Sequence, residues 1–507
     1  MTSVFSRRDF LRLAGMLPLT LAAPRWTRKL AGPGGQQNII VVVFDAMSAL
    51  NLSLYGYARQ TMPNMARLAK RAIVYHDHFA GSSFTTPGTA SLLTGTYPWS
   101  HRGILRNGEV AQSYIHRTAF DVFDDYYRIA YAHNPLAYTL LHQFRDDINE
   151  LIEVEKLLLK SYDSFLIDLF KNDDDISNVG WVRDAKLLDG YAYSLFFSHL
   201  DAVLQEQQKA QLAREFPAGE APWLGGQFFL LEQAIDWIAQ AVTAISRPFL
   251  GYFHFLPPHA PYHPPTEFSG RFARDGYSPV VKPKDEFAVP GNQAKVRGTR
   301  RSDYDEFILY VDRQFGRLYD QLEKSGLLDS TWLVFTSDHG EMFERGIFGH
   351  NTDALYQPVV RVPLVIFEPG RQQGMDILTP TSAVDLLPTL AHVTGHAPPP
   401  WTEGLLLPPF ASAAPDPNRN LYALRATRND PAAPLTNAST MLVKGRYKLV
   451  YYFGFSDLGI PDHAKLFDLE ADPEELTDLY SVEKDVAASL FNELKAKLNE
   501  VNKPFEN

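Results

Sequence analysis

The stretch NIIVVVFDAM, residues 38–47, is a continuous β-branched apolar run that closes on an acid. A strand with one wet face alternates apolar and polar residues. A strand covered on both faces does not, so this run reads as a buried parallel strand with Asp45 at its C-terminal end. The segment TMPNMARLAKRAIVYHDHFA (61–80) continues as helix then strand, and a similar unit returns at 304–340. There Tyr304, Ile308, Val311, Phe315, Leu318 and Leu322 share one helical face, and TWLVFTSDHG (331–340) supplies a second buried strand ending in an acid. RPFLGYFHFLPPHAPYHPP (247–265) reads as a third strand, broken by prolines as it leaves the sheet. Strands alternating with helices predict an α/β fold: a large, mostly parallel sheet sandwiched by helices.

The rest of the chain fits around that sheet. At 507 residues two or three domains are expected. A proline-rich stretch at 395–418 marks a boundary. Beyond it, GRYKLVYYFG (445–454) alternates like a half-exposed strand and AASLFNELKAKLNEV (487–501) like a helix, which predicts a smaller C-terminal α+β domain over 418–507. The larger domain spans 38–405, with a helix-rich insertion at about 135–247. The formal net charge of −11 and the lack of a long basic stripe exclude a nucleic-acid footprint. The absence of cysteine excludes disulfides, thiolate ligands and a cysteine nucleophile. SRRDFLRLAGMLPLTLAAP (6–24), within 1–31, has the pattern of a twin-arginine export signal, with an ordinary secretory signal or an uncleaved anchor as the plainer reading, and predicts a mature protein in the periplasm or outside the cell. No later segment reads as membrane-spanning: residues 228–245 carry Glu232 and Asp236 and form an amphipathic pattern.

Three predicted strands therefore end in polar groups: Asp45, Asp338 with His339, and His259. In open α/β sheets the C-terminal strand ends line one crevice. Two carboxylates and an imidazole gathered there make a candidate metal site, and imidazole favours Zn or Mn over Ca or Mg. The segment FTTPGTASLLTG (84–95) puts Thr85 ahead of a helix starting near Pro87, where free N–H groups favour an anion. Threonine is a poor nucleophile unless a metal generates the alkoxide. Taken singly, each residue has a plainer reading: Thr85 or Thr86 as an N-cap, Asp45 capping a helix, Asp338-His339 in a turn, His259 in a proline-rich loop. Their joint placement at strand ends favours chemistry.

These segments resemble the sulfatases of the alkaline phosphatase superfamily, over nearly everything after the signal. The resemblance is carried by NIIVVVFDAM, TMPNMARLAKRAIVYHDHFA, TTPGTASLLTGTYPWSHRG, PPHAPYHPP, VFTSDHGEMFERGIFGHNTDALYQPVVRVPLVIFEPG and KGRYKLVYYFG. It implies a large α/β domain holding the metal, followed by a small α+β domain. The family's nucleophile motif begins with a cysteine or serine that becomes formylglycine. Here Thr85 takes that place, Pro87 the motif proline and Thr89 the motif arginine, so no formylglycine is expected. Ala46 replaces a second aspartate, His133 and Asn134 stand where one family lysine is expected, and His350 stands where another is. Phosphoethanolamine transferases, phosphopentomutases and nucleotide pyrophosphatases of the superfamily use threonine with Zn or Mn. HFLPPHAPY, with His254 and His259, looks like the transferases' histidine-rich loop.

The resemblance implies an exported, metal-dependent ester hydrolase acting on a small anionic ester. Asp45, Thr85, Asp338 and His339 are expected to bind the metal, with Thr85 as nucleophile. His259 and His350 would contact the transferred group or a second metal. A phosphoester, by preference a diester, is favoured over a sulfate ester. The competing expectation is a pseudoenzyme that only binds an anion.

Overall fold

Strand β1 (Asn38–Phe44) is fully buried. Ile40, Val42 and Phe44 point into one apolar cluster, while Ile39, Val41 and Val43 point into another on the opposite face of the sheet. Burying an aliphatic side chain of this size contributes about 1.5–3 kcal/mol, so two covered faces explain the unbroken apolar run.

The main sheet adds β2 (Ile73–Tyr75), β3 (Tyr127–Ala132), β4 (Glu150–Leu151), β5 (Phe249–Phe255), β6 (Thr331–Thr336), β7 (Leu364–Phe367) and β8 (Met375–Ile377). Their spatial order is β8-β2-β7-β6-β1-β5-β3-β4. β1 runs parallel to β5 and β6, and β3 parallel to β5 and β4. β7 is antiparallel to β6 and β2, which makes the sheet mixed but mostly parallel. The computed structural model describes residues 37–106, 108–157, 230–245, 248–288 and 300–506, with short pieces at 207, 214–215, 222–223 and 227–228. The signal-like segment 1–31 and most of 158–229 lie outside the described residues.

The principal described helices are α1 (Pro63–Leu68), α2 (Thr85–Thr94), α3 (Pro135–Gln143), α4 (Leu231–Ala244), α5 (Arg301–Lys324) and α6 (Lys484–Asn502). All six stripe residues of α5 are buried, in the same cluster as Phe44. α4 adds Ile235, Ile238 and Val242 to that cluster. The ends of the 135–247 stretch thus belong to the scaffold: α3 buries Ala137, Leu140 and Leu141, and β4 extends the main sheet.

Four antiparallel strands follow: β9 (Leu421–Arg425), β10 (Ala438–Lys444), β11 (Tyr447–Phe453) and β12 (His463–Asp468). β11 is buried on both faces, not half-exposed as its alternation suggests. Leu449 and Tyr451 pack with Leu490, Leu494 and Leu498 of α6, whereas Val450 and Tyr452 pack with Phe79, Met342 and Val359 of the larger body. The second layer of cover comes from distant chain, which local periodicity cannot register. Both sheets belong to one compact unit, Gln36–Asn507. Among the described residues, no helix is long and apolar enough to cross a membrane.

Candidate active site

Strand register builds the site. Val43 pairs with His254 on β5 and with Thr336 on β6, so the chain emerges from three neighbouring strands at one level. Asp45, His254 and Asp338 converge there, with one potential ligand atom from each lying within 4.8 Å of the others. His254 Nε2 is 3.2 Å from Asp45 Oδ2 and 3.8 Å from Asp338 Oδ2. His339 Nε2 lies 3.4 Å from Asp45 Oδ1 and 3.6 Å from Asp338 Oδ2. All four side chains are buried.

α2 delivers Thr85 to this cluster. Phe84 takes the N-cap position and the helix opens at Thr85 itself, two residues earlier than the sequence suggests, because Pro87 is tolerated in a first turn. Neither threonine caps the helix by its side chain. Thr86 Oγ1 donates to the Arg106 carbonyl at 2.8 Å. Thr85 Oγ1 instead lies 3.2 Å from His339 Nε2, and the Asn134 amide donates to it at 3.4 Å. Asn134 also donates to Asp45 Oδ2, and its own carbonyl accepts from Leu136 N at 2.8 Å at the start of α3. Gly88 makes the approach of α2 feasible. A Cβ there would sit 2.3 Å from the Asp338 carbonyl oxygen.

The hydrogen-bond pattern identifies what the cluster lacks. His339 Nδ1 is 2.9 Å from the Gly340 carbonyl, which can only accept, so Nδ1 carries the proton and Nε2 presents a lone pair. Burial and the nearby His350 push the His339 imidazolium down to about 3, keeping the ring neutral. Asp45 Oδ1 and Asp338 Oδ2 are buried and have no hydrogen-bond partner among the described residues. Carboxylate oxygens without hydrogen-bond partners beside an imidazole lone pair fit a divalent cation. The two carboxyls answer their shared burial differently. Burial opposes ionisation of Asp45, but the bond to His254 and the charges of His259, His339 and His254 hold its carboxyl well below the usual range. Burial and the charge on Asp45 push Asp338 well above it.

A second group of residues adjoins the first. The His350 ring centroid is 4.3 Å from that of His339 and 4.8 Å from that of His259. His350 Nδ1 lies 3.0 Å from Glu341 Oε1, and Tyr262 donates to Glu341 Oε2 at 2.9 Å. Burial raises the Glu341 carboxyl to about 7 against the opposing fields of His259 and His339.

The structure thus brings together Asp45, Thr85, Asp338 and His339, with His350 and then His259 alongside. The sequence assigned no role to His254, whose place between the carboxylates follows from the β1–β5 register. Asn134, Glu341 and Tyr262 were likewise unassigned. Asn134 offered one local signal, a residue directly after a strand and before a proline-started helix. Tyr252 OH, 3.2 Å from His254 Nδ1, orients that ring from within β5.

Comparison with known proteins identifies the family. The profile described as Sulfatase matches residues 37–134 and 223–396, which is more than half of the chain. The chain belongs to the sulfatase family. The unmatched gap, 135–222, falls within the helix-rich stretch, and the profile described as N-sulphoglucosamine sulphohydrolase, C-terminal, matches residues 344–504. Among sulfatase relatives, choline-sulfatase of Rhizobium meliloti is 28% identical over 466 residues, covering 88% of this chain and 82% of its own. Arylsulfatase K of Xenopus laevis is 28% identical over 289 residues, 49% of this chain and 51% of its own, so the match spans about half of that relative. Among solved structures, the phosphonate monoester hydrolase of Agrobacterium radiobacter superposes with a TM-score of 0.63 at 19% identity, covering 92% of this chain and 95% of its own. A protein solved with its substrate D-glucosamine-2-N,6-O-disulfate gives 0.64 at 17% identity, covering 93% and 99%. These structural likenesses establish the sulfatase fold. Membership makes the chain an ester hydrolase of a generally metal-dependent family.

Proposed function

We propose that this sulfatase-family chain is an exported hydrolase that cleaves a phosphoester, a diester by preference, with Thr85 as its nucleophile. The observation that carries the reading is the division of labour between the two threonines. Thr86 is committed to a backbone carbonyl, and Thr85 alone faces His339 and the carboxylates. Asp45, His254, Asp338 and His339 would hold a divalent cation, Zn²⁺ or Mn²⁺ by their mixed oxygen and nitrogen donors. When bound, such an ion lowers the pKa of a hydroxyl and polarises an ester.

The chain's own residues do the rest. Asn134 orients the Thr85 hydroxyl through bonds to it and to Asp45. The N-terminus of α2, which opens at Thr85, would offer an anion the N–H groups of its first turn. A bond forms from Thr85 Oγ1 to phosphorus as the bond to the leaving oxygen breaks. The proton shed by the threonine is balanced by the one the departing alcohol takes up. Water then attacks the same phosphorus and breaks its bond to Thr85 Oγ1, returning a proton to the threonine. From a diester the product released is the phosphate monoester, because the second alcohol stays on phosphorus throughout. His350 and His259, beside His339, suit contact with the transferred group. The Arg7-Arg8 segment supports export.

The test is turnover of matched aryl esters, namely sulfate, phosphate monoester, phosphate diester and phosphonate monoester, by metal-loaded wild type and Thr85→Ala. Hydrolysis of the phosphorus esters that is lost in the variant supports the proposal. Preference for the sulfate supports a second reading, a sulfuric ester hydrolase, which the family profile and the relatives named sulfatases favour. Silence on all four with no bound metal would leave only an anion-binding role.

A further inference from the structure

Arg425, at the end of β9, is 6% exposed. A buried guanidinium costs free energy unless its donors are satisfied, and these are not. Nη2 donates to Asn351 Oδ1 at 3.1 Å and Nε stands 3.5 Å from Asp353 Oδ1. Nη1 is buried with no hydrogen-bond partner among the described residues. The guanidinium carbon lies 5.0 Å from the centroid of the Phe84 ring, a cation–π contact that holds its plane but consumes no donor.

Phe84 places this group. It immediately precedes Thr85, and its ring centroid is 6.2 Å from that of His350, whose ring neighbours His339. The backbone around the contact is fixed from both sides: Leu424 N donates to the Gly81 carbonyl at 2.9 Å and Ser82 Oγ donates to the Leu424 carbonyl at 2.7 Å. Arg425 therefore sits one aromatic ring away from the reacting hydroxyl. Its contacts are with Asn351, Asp353 and Phe84, whereas the Thr85 hydroxyl neighbours His339 and Asn134, so the guanidinium suits a part of the substrate beside the scissile group.

The local charge is positive. Arg106 and Arg428 act on Arg425, and Arg425 and Arg106 both act on His350. Arg428 is neutralised by Asp457 at 2.8 Å, and Asp353 offsets part of Arg425, which leaves the solvent-exposed Arg106 as excess.

We infer that Arg425, assisted by Arg106, recognises a second, non-reacting anionic group on the part of the substrate beyond its scissile group, so that the substrate is at least doubly anionic. This rests on the hydrolase reading above. A charge-assisted hydrogen bond to a buried guanidinium favours an oxyanion over a neutral isostere and disfavours a cation at the same place.

Three aryl esters differing only in the para group of the leaving phenol decide it: carboxylate, carboxamide and trimethylammonium. In wild type the kcat/KM of the carboxylate should exceed that of the carboxamide by about tenfold, with trimethylammonium last. Arg425→Met keeps an unbranched apolar side chain at this buried position but removes the charge, and should bring all three within about threefold of one another. Arg425→Lys should restore part of the order. Arg106→Ala, at an exposed position, should weaken the order by itself and serves if the Arg425 variants do not fold. A wild type indifferent to the para group, or an order that survives Arg425→Met, overturns the inference. If no ester is hydrolysed, the hydrolase reading has failed separately. Calorimetric binding of the same three compounds then decides the arginine by the same ranking.

Discussion

Thr85 Oγ1 and His339 Nε2 lie 3.2 Å apart although 254 residues separate them in the chain. The contact joins the first turn of α2 to the loop after β6. It is also the point at which a hydroxyl meets an imidazole lone pair and two carboxylates. Thr85→Ala should lower turnover on the order of a thousandfold or more, because nothing else described in the site offers a hydroxyl in that place. Thr86→Ala removes one hydrogen bond, to the Arg106 carbonyl, and should cost about 1 kcal/mol of stability with turnover retained. Steady-state kinetics and denaturant titration of the two variants check this, and the reverse outcome would exchange their roles.

Metal binding should be coupled to proton release. Burial and Asp45 hold the Asp338 carboxyl far above its ordinary range, so the metal-free folded protein keeps a proton that a bound cation must displace. Its folded pKa exceeds its unfolded one. The stability this contributes to the metal-free form is present at low pH and lost as pH rises, while metal affinity runs the other way and weakens as pH falls. Titration calorimetry in two buffers of different ionisation enthalpy should reveal the released proton. Asp338→Asn mimics the protonated acid, so it should leave the metal-free thermal midpoint nearly unchanged and abolish metal uptake. Unchanged metal content would remove Asp338 from the ligand set.

Gly88→Ala tests the packing that presents Thr85. The added Cβ would stand 2.3 Å from a backbone oxygen of Asp338, so α2 must retreat from the end of β6. Overpacking of this kind costs about 1–3 kcal/mol, and the displaced Thr85 should cut kcat more than KM. A variant with wild-type stability and kcat would show that the helix has slack.

The β12 strand docks on the 282–288 loop through ionic contacts whose pH window is readable. His463 Nε2 lies 2.8 Å from Glu286 Oε1, and Lys465 Nζ donates to Glu286 Oε2 at 2.9 Å. Burial opposes the Glu286 charge, but the bonds to His463 and Lys465 prevail and pull its carboxyl down to about 2. The bond to Glu286, against burial, raises His463 above its ordinary 6.5. The carboxylate's contribution is present above its unfolded value of 4.5 and lost as pH falls toward 2. The imidazolium's is present below 6.5 and lost as pH rises through its raised folded value. The difference in stability between wild type and Glu286→Gln should therefore peak between those values, at about 0.5–1 kcal/mol for such partly exposed pairs. A difference independent of pH from 3 to 9 would mean that the contact is steric.

Local periodicity made the scaffold legible. An unbroken β-branched run reads as a strand covered on both faces and a stripe at helical spacing as a helix facing a core, so β1, β6 and α5 and the acids that follow the two strands were readable from neighbouring residues. The rest depended on which distant segments meet. His254 and His259 are five residues apart in one motif. The β1–β5 register lodges His254 between the carboxylates, and the prolines at 257–258 carry His259 away to the far side of His350. Glu341 and Arg425 carry no local signature of chemistry, and Asn134 offers only its place between a strand and a proline-started helix.

By itself the sequence determined the alternation of strand and helix, the acids that end the strands, and a helix with two threonines near its start. The tertiary structure alone decided which of the two threonines lies beside His339, which histidine stands between the acids, and that a β9 arginine stacks on Phe84, the residue before Thr85. The physical reason is the range of the forces involved. Backbone sterics and burial write a period into neighbouring residues, whereas a site is an intersection of side chains whose neighbours lie hundreds of residues away.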